Sequence, residues 1–80
     1  METREGFVVK QRVNIGSKSE MDGYFLRQDD GTITRIEFAW ESPFQQDILE
    51  GLVGLRCEVE GSFYRDKFIV HNYREFQLTH

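Results

Sequence analysis

Cysteine and proline occur once each in this 80-residue chain, as Cys57 and Pro43, and nowhere do about 18 apolar residues run consecutively. A lone cysteine excludes an internal disulfide and a cysteine-based metal cluster, so the chain has to hold together by packing. That usage fits a reducing, cytoplasmic compartment. The opening residues "METREGFVV" contain no apolar signal-peptide core, so neither a signal peptide nor a membrane-spanning helix is expected. Phosphate-binding glycine loops of the Walker type and G-x-S-x-G elbows are also missing. An excess of basic residues is lacking too: 14 acids face 10 lysines and arginines, a net charge of −4, which argues against a generic polyanion binder.

What is present describes one small folded domain spanning residues 1–80. A chain this short encloses a single core and buries about 60% of its unfolded surface, which leaves little room for a deep active site. Hydrophobic residues make up 39% and aromatics 14%, enough apolar area to disfavour disorder. Charge is unevenly spread. Residues 1–18 carry Arg4, Lys10, Arg12 and Lys18 against Glu2 and Glu5, whereas residues 19–55 carry eight acids against Arg27 and Arg35. Residues 56–80 balance at four of each sign. A basic patch is therefore expected only where the fold brings the first strand near the last two.

The hydrophobic period is mostly two. In "GFVVKQRVNI" (6–15), Phe7, Val9, Val13 and Ile15 share one face of a half-buried strand, and Val8, Lys10, Arg12 and Asn14 share the other. A polar break, "GSKSE" (16–20), separates it from "DGYFLRQ", where Tyr24 and Leu26 lie on one face and Phe25 and Arg27 on the opposite one. One of Tyr24 and Phe25 must point inward. "DDG" (29–31) is a hairpin signal, making strands two and three antiparallel neighbours. In "TITRIEFAW" the alternation puts Ile36, Phe38 and Trp40 inside and Arg35 and Glu37 outside.

At "ESPFQQ" the pattern changes. Ser42 followed by Pro43 and Gln45 matches an N-cap, a first-turn proline and a capping-box glutamine. Phe44, Ile48 and Leu52 then recur every four residues along a short helix, with Gln45, Gln46, Asp47 and Glu50 left to solvent and Gly51 and Gly54 as stop signals. From Leu55 the period returns to two, with Leu55, Cys57, Val59 and Phe63 on one face and Gly61 marking a bulge or bend. "YRDK" (64–67) is a polar connection and "FIVHNY" a fifth strand, on which His71 shares a side with Tyr73 opposite Val70. The tail, with Phe76 and Leu78, either continues the sheet or packs across its mouth.

The order β-β-β-α-β-β, with the pieces "SPFQQDILEGLVGLRCEVEG" and "KFIVHNY", resembles the OB-fold: mainly β, a small five-stranded barrel with one short helix between strands three and four. The resemblance covers about residues 6–73 and implies a ligand face on strands two and three, flanked by the loops 16–20 and 64–67. The chain is accordingly expected to be a non-enzymatic binding module without cofactor or metal. Its expected role is protein interaction or self-association, the alternative being single-stranded nucleic acid held by stacking aromatics and cations. The candidate binding residues are Lys10, Arg12, Ser17, Lys18, Ser19, Tyr24, Arg27, Arg35, Tyr64, Arg65 and Lys67. Carboxylate pairs such as Asp29 with Asp30 or Glu58 with Glu60 sit where solvation explains them, since acid–base work needs unequal burial. Cys57 reads as a packed small hydrophobe, not a nucleophile.

Overall fold

A computed structural model describes residues 1–13, 16, 21–40 and 44–76. Five strands, β1 (Glu2–Val13), β2 (Met21–Arg27), β3 (Ile33–Phe38), β4 (Arg56–Tyr64) and β5 (Lys67–Glu75), form one sheet, and a single helix, α1 (Gln45–Leu52), lies between β3 and β4. The strands run in the order β1-β2-β3-β5-β4, and β4 pairs back onto β1, so the sheet closes into a ring. All neighbours are antiparallel except β3 and β5, which are parallel.

The β2–β3 hairpin forms as "DDG" predicts. Gly31 takes φ +89°, its N–H donates to Gln28 O at 2.9 Å, and Gln28 N–H donates to Thr32 O at 2.8 Å. This is the three-residue loop in which a left-handed glycine restores the strand twist. Inside the ring lie Val8, Tyr24, Leu26, Ile36, Phe38, Cys57, Val59, Phe68 and Val70, with Leu49 and Leu52 of the helix closing one end. The facings predicted for Ile36 and Phe38 of β3 and for Cys57 and Val59 of β4 are those observed; on β2 the choice the sequence leaves open falls to Tyr24, which points inward with Leu26.

β1 faces the other way round from its predicted orientation. Val8 is fully buried, whereas Phe7, Val9 and Val13 lie half-buried on the outer surface; Asn14 and Ile15 fall outside the described residues. Gly6 explains the parity. A Cβ at Gly6 would stand 2.2 Å from the carbonyl oxygen of Arg27, so the position that must lack a side chain is on the inner side. Val8, two residues on, must then point inward and its odd-numbered neighbours outward. Gly61 plays the same part in β4, where a Cβ would come within 1.8 Å of Ile69 O.

Close to Gly61 the β4–β5 register slips as the sequence suggested, and the extra residue is in β5: Gly61 opposes Val70, Glu60 opposes Asn72, and His71 has no opposite. The bulge resets the alternation. Tyr73 therefore packs toward the core on the same side as Val70, stacking on Phe38 at 5.5 Å, while His71 is exposed. Trp40 lies beyond the end of β3, not in the interior; it is 38% exposed and stacks on Phe38 at 4.4 Å. Phe63 is also largely exposed, at the ring's end, edge-on to Phe68 with Arg4 over its ring.

Helix α1 begins after the predicted cap. Ser42 and Pro43 lie outside the described residues; Phe44 occupies the N-cap position without a side-chain cap hydrogen bond, and Ile48 N–H donates to its carbonyl at 3.0 Å. Phe44 is 63% exposed, so the buried stripe is Leu49 and Leu52, with Ile48 beside them. Gly51 sits within the helix, and Gly54, at φ +85°, follows it. Val8 then receives the returning chain, donating to Leu55 O at 3.1 Å and accepting from Gly54 N–H at 2.8 Å. β5 continues the sheet to Glu75, and Leu78 lies outside the described residues.

A candidate interaction face on the ring

Strand pairing aligns residues that the sequence scatters. Val9 of β1 opposes Phe25 of β2, Phe25 opposes Arg35 of β3, Arg35 opposes Lys67 of β5, and Lys67 opposes Tyr64 of β4. This row crosses all five strands on the outer surface and contains no carboxylate. Beside it, Arg27 opposes Phe7 on one side and Ile33 on the other. Val13 and Phe25 both crowd the space over Gly23, where an added Cβ would meet them at 3.0 and 3.1 Å. The result is an outward apolar patch of Phe7, Val9, Val13 and Phe25, with Ile33 48% exposed, edged by Arg27 and Arg35.

Arg27 and Arg35 have no ion pair or hydrogen bond among the described residues, and Lys67 donates from Nζ to Glu37 Oε1 at 3.0 Å. Arg65 occupies the two-residue β4–β5 turn at φ +60°, with its guanidinium over the Tyr64 ring. Tyr64 is itself 63% exposed. On the closed ring this row runs around the circumference: Arg27 and Arg35 lie together on β2 and β3, and Lys67 and Tyr64 follow on β5 and β4, with Arg65 in the turn between them.

The remaining candidates lie elsewhere. Tyr24 points inward, and its hydroxyl donates to Glu50 Oε2 at 2.7 Å; Lys10 donates to the other oxygen of Glu50 at 2.8 Å. Arg12 stands 3.8 Å from Asp22, its register partner. These two β1 cations have even numbers, so Gly6 places them on the side of Val8 and the helix, away from Arg27 and Arg35. Where β1 meets β4, over Glu2–Phe7, Glu5 directly opposes Glu58, and among the described residues Lys10 and Arg12 lie beyond that stretch. Ser17, Lys18 and Ser19 fall outside the described residues; Gly16, at φ +84°, is described.

Two polar clusters escaped the sequence reading. Glu50 is no idle solvated acid: its bonds from Lys10 and Tyr24 hold its carboxyl below its ordinary value, Lys10 contributing more, and the same contacts raise Lys10. Burial, reinforced by Glu50, pushes Tyr24 up to about 12. At the ring's other side, Arg56 donates from Nε to Glu5 at 2.9 Å and from Nη1 and Nη2 to the two oxygens of Asp29 at 3.1 and 2.8 Å; Nη2 also meets the same Glu5 oxygen. This clamp holds Asp29 below its ordinary value. A glutamate two residues before the end of a helix carries no sequence mark of such partners, because they lie 26 and 40 positions away.

Cys57 is fully buried, and burial pushes its thiol up, which disfavours the reactive thiolate. Among the described residues no group of three or more metal-binding side chains converges, and no helix is long and apolar enough to cross a membrane. Comparison with protein-family models, curated proteins and solved structures finds no match to this chain.

Proposed function

We propose that this protein is a non-enzymatic binding module on an OB-like barrel, and that it engages a protein partner through the outward patch of β1, β2 and β3. One observation carries this reading: the more regular apolar stripe of β1 faces out of the ring, next to Phe25 and two arginines without carboxylate partners among the described residues. Apolar patches edged by polar groups mark interaction sites, and an aromatic flanked by arginines is the usual make-up of an interface centre. The ring order, with parallel β3 and β5 and a helix between β3 and β4, supports the OB-like assignment.

Single-stranded nucleic acid is the second reading, favoured by the carboxylate-free row Phe25, Arg35, Lys67 and Tyr64, in which two adjacent cations are flanked by two rings, the elements of a stacking platform. The net charge of −4 weighs against it.

Titrating labelled mixed-sequence DNA and RNA single strands with the domain at low and moderate salt separates the two readings. Salt-insensitive absence of binding, together with a partner in cell extract that is retained by the wild type and lost by Val9→Ser with Phe25→Ser, supports the protein interface. Saturable binding that weakens steeply with salt and with Arg35→Glu supports nucleic acid instead.

A further inference from the structure

The occupant of this face can be specified further, resting on its reading as a protein interface. Across the strands the row changes character: Val9 and Phe25 form an apolar end over β1 and β2, and Arg35 begins a cationic end over β3 and β5. Arg27 stands diagonally from Arg35, two positions along the facing strand, a separation of about 7–8 Å that side chains of this length bridge easily. Lys67 is already held by Glu37, and Arg27 and Arg35 pair with no carboxylate among the described residues, so they are the charges left to answer.

Any partner that covers the apolar end also strips water from the neighbouring guanidinium groups. A charge desolvated without a counter-charge is strongly unfavourable, so the partner has to bring anions to the cationic end. A second copy of this chain docked face to face cannot do so. An isologous contact through this patch would set Arg27 and Arg35 of one copy against either the arginines or the apolar end of the other, and neither brings an anion.

We propose that the face holds an acidic, apolar polypeptide segment laid across the strands, its apolar side chains on Val9 and Phe25 and its carboxylates paired with Arg27 and Arg35. Arginine offers two parallel N–H donors that match a carboxylate, so each pair is directional as well as charged. From Val9 to Arg35 the row spans two inter-strand gaps, about 10 Å at 4.8 Å each, which an extended segment covers in about three residues. The net charge of −4 over the whole chain disfavours unspecific attraction of such a segment, so its binding rests on local pairing with these two arginines.

The test is selection of a random dodecapeptide phage library on the whole domain at moderate salt, followed by anisotropy titration of the enriched peptides. Expected are peptides that combine apolar residues with Asp or Glu, that bind Arg27→Glu with Arg35→Glu at least tenfold more weakly, and that are not displaced by mixed-sequence single-stranded DNA. Should that pair fail to fold by circular dichroism, Arg27→Gln with Arg35→Gln takes its place, with the same loss expected. Enrichment of neutral or basic peptides, no enrichment, or equal binding by the arginine variants overturns the acidic occupant. Peptides that ignore the arginines yet lose affinity in Val9→Ser with Phe25→Ser would leave the interface standing and remove only its acid preference; peptides indifferent to both pairs would remove both. Displacement by the DNA at lower concentration than by free peptide assigns the face to nucleic acid.

Discussion

Tyr24 places a phenol between the apolar interior and the Glu50 carboxylate, and both surroundings oppose its ionisation. A group raised in the folded state adds stability that is fully present below its unfolded value, near 10, and lost as pH rises through about 12. Ultraviolet titration should therefore show a phenol step near pH 12 that vanishes in Tyr24→Phe; a step surviving that substitution would assign it to another tyrosine. Removing the hydroxyl should also cost about 1 kcal/mol, because Glu50 keeps Lys10 and its access to water. Gly61 gives a harsher single-residue test. A methyl there would sit 1.8 Å from Ile69 O, against main chain that cannot swing aside, so Gly61→Ala should destabilise by about 3 kcal/mol or more in urea titrations. A loss under about 1 kcal/mol would show that β4 and β5 separate there at little cost.

Among the elements, α1 is short, and Leu49 and Leu52 pack it into the end of the ring. Leu49→Ala should cost about 2–4 kcal/mol, whereas Phe44→Ala, at an exposed position, should cost under about 1 kcal/mol; equal losses would restore the stripe predicted on Phe44. Gly51 lies in the helix with open space where a Cβ would go, so Gly51→Ala should stabilise by up to about 1 kcal/mol. Element order, the β2–β3 turn and the inward face of β3 were legible in the sequence because each is a local pattern of alternation or turn chemistry. The orientation of β1 was not, since Val8 and the Val9 stripe are both apolar and the choice is made by the close passage of Arg27 against Gly6, a contact 21 positions away. Nor was the turnover at His71, because a bulge depends on the opposing strand; Tyr73 followed the reset phase rather than the sequence's count. Of the candidate site, Arg35, Lys67 and Tyr64 came together as cross-strand partners, with Arg27 diagonal to Arg35, while Lys10 and Tyr24 were drawn to Glu50 by a helix whose position no local pattern encodes and Arg12 faces Asp22, its register partner on β2.

At the scale of the whole molecule, the ring has to be held where strands distant in sequence meet, and Arg56 joins three of those places at once. Its guanidinium ties β4 to Glu5 of β1 and to Asp29 in the β2–β3 turn, and it also lies 5.5 Å over the ring of Phe7 on the outer patch. Glu50 does the corresponding work on the helix side, joining α1 to β1 and β2. Both clusters depend on ionised carboxylates held below their ordinary values, Asp29 by Arg56 and Glu50 by Lys10 and then Tyr24. For a carboxylate depressed on folding, the stabilisation is present above the unfolded value, near 4, and is lost as pH falls through the lower folded value. The melting temperature should hold steady from pH 7 to about 5 and then fall below pH 4. In Arg56→Gln with Glu50→Gln the decline below pH 4 should be visibly shallower, although that variant starts from a lower melting temperature at pH 7. An acid limb as steep in the variant as in the wild type would place the pH sensitivity on other carboxylates and would mean that the ring closes without these two ties.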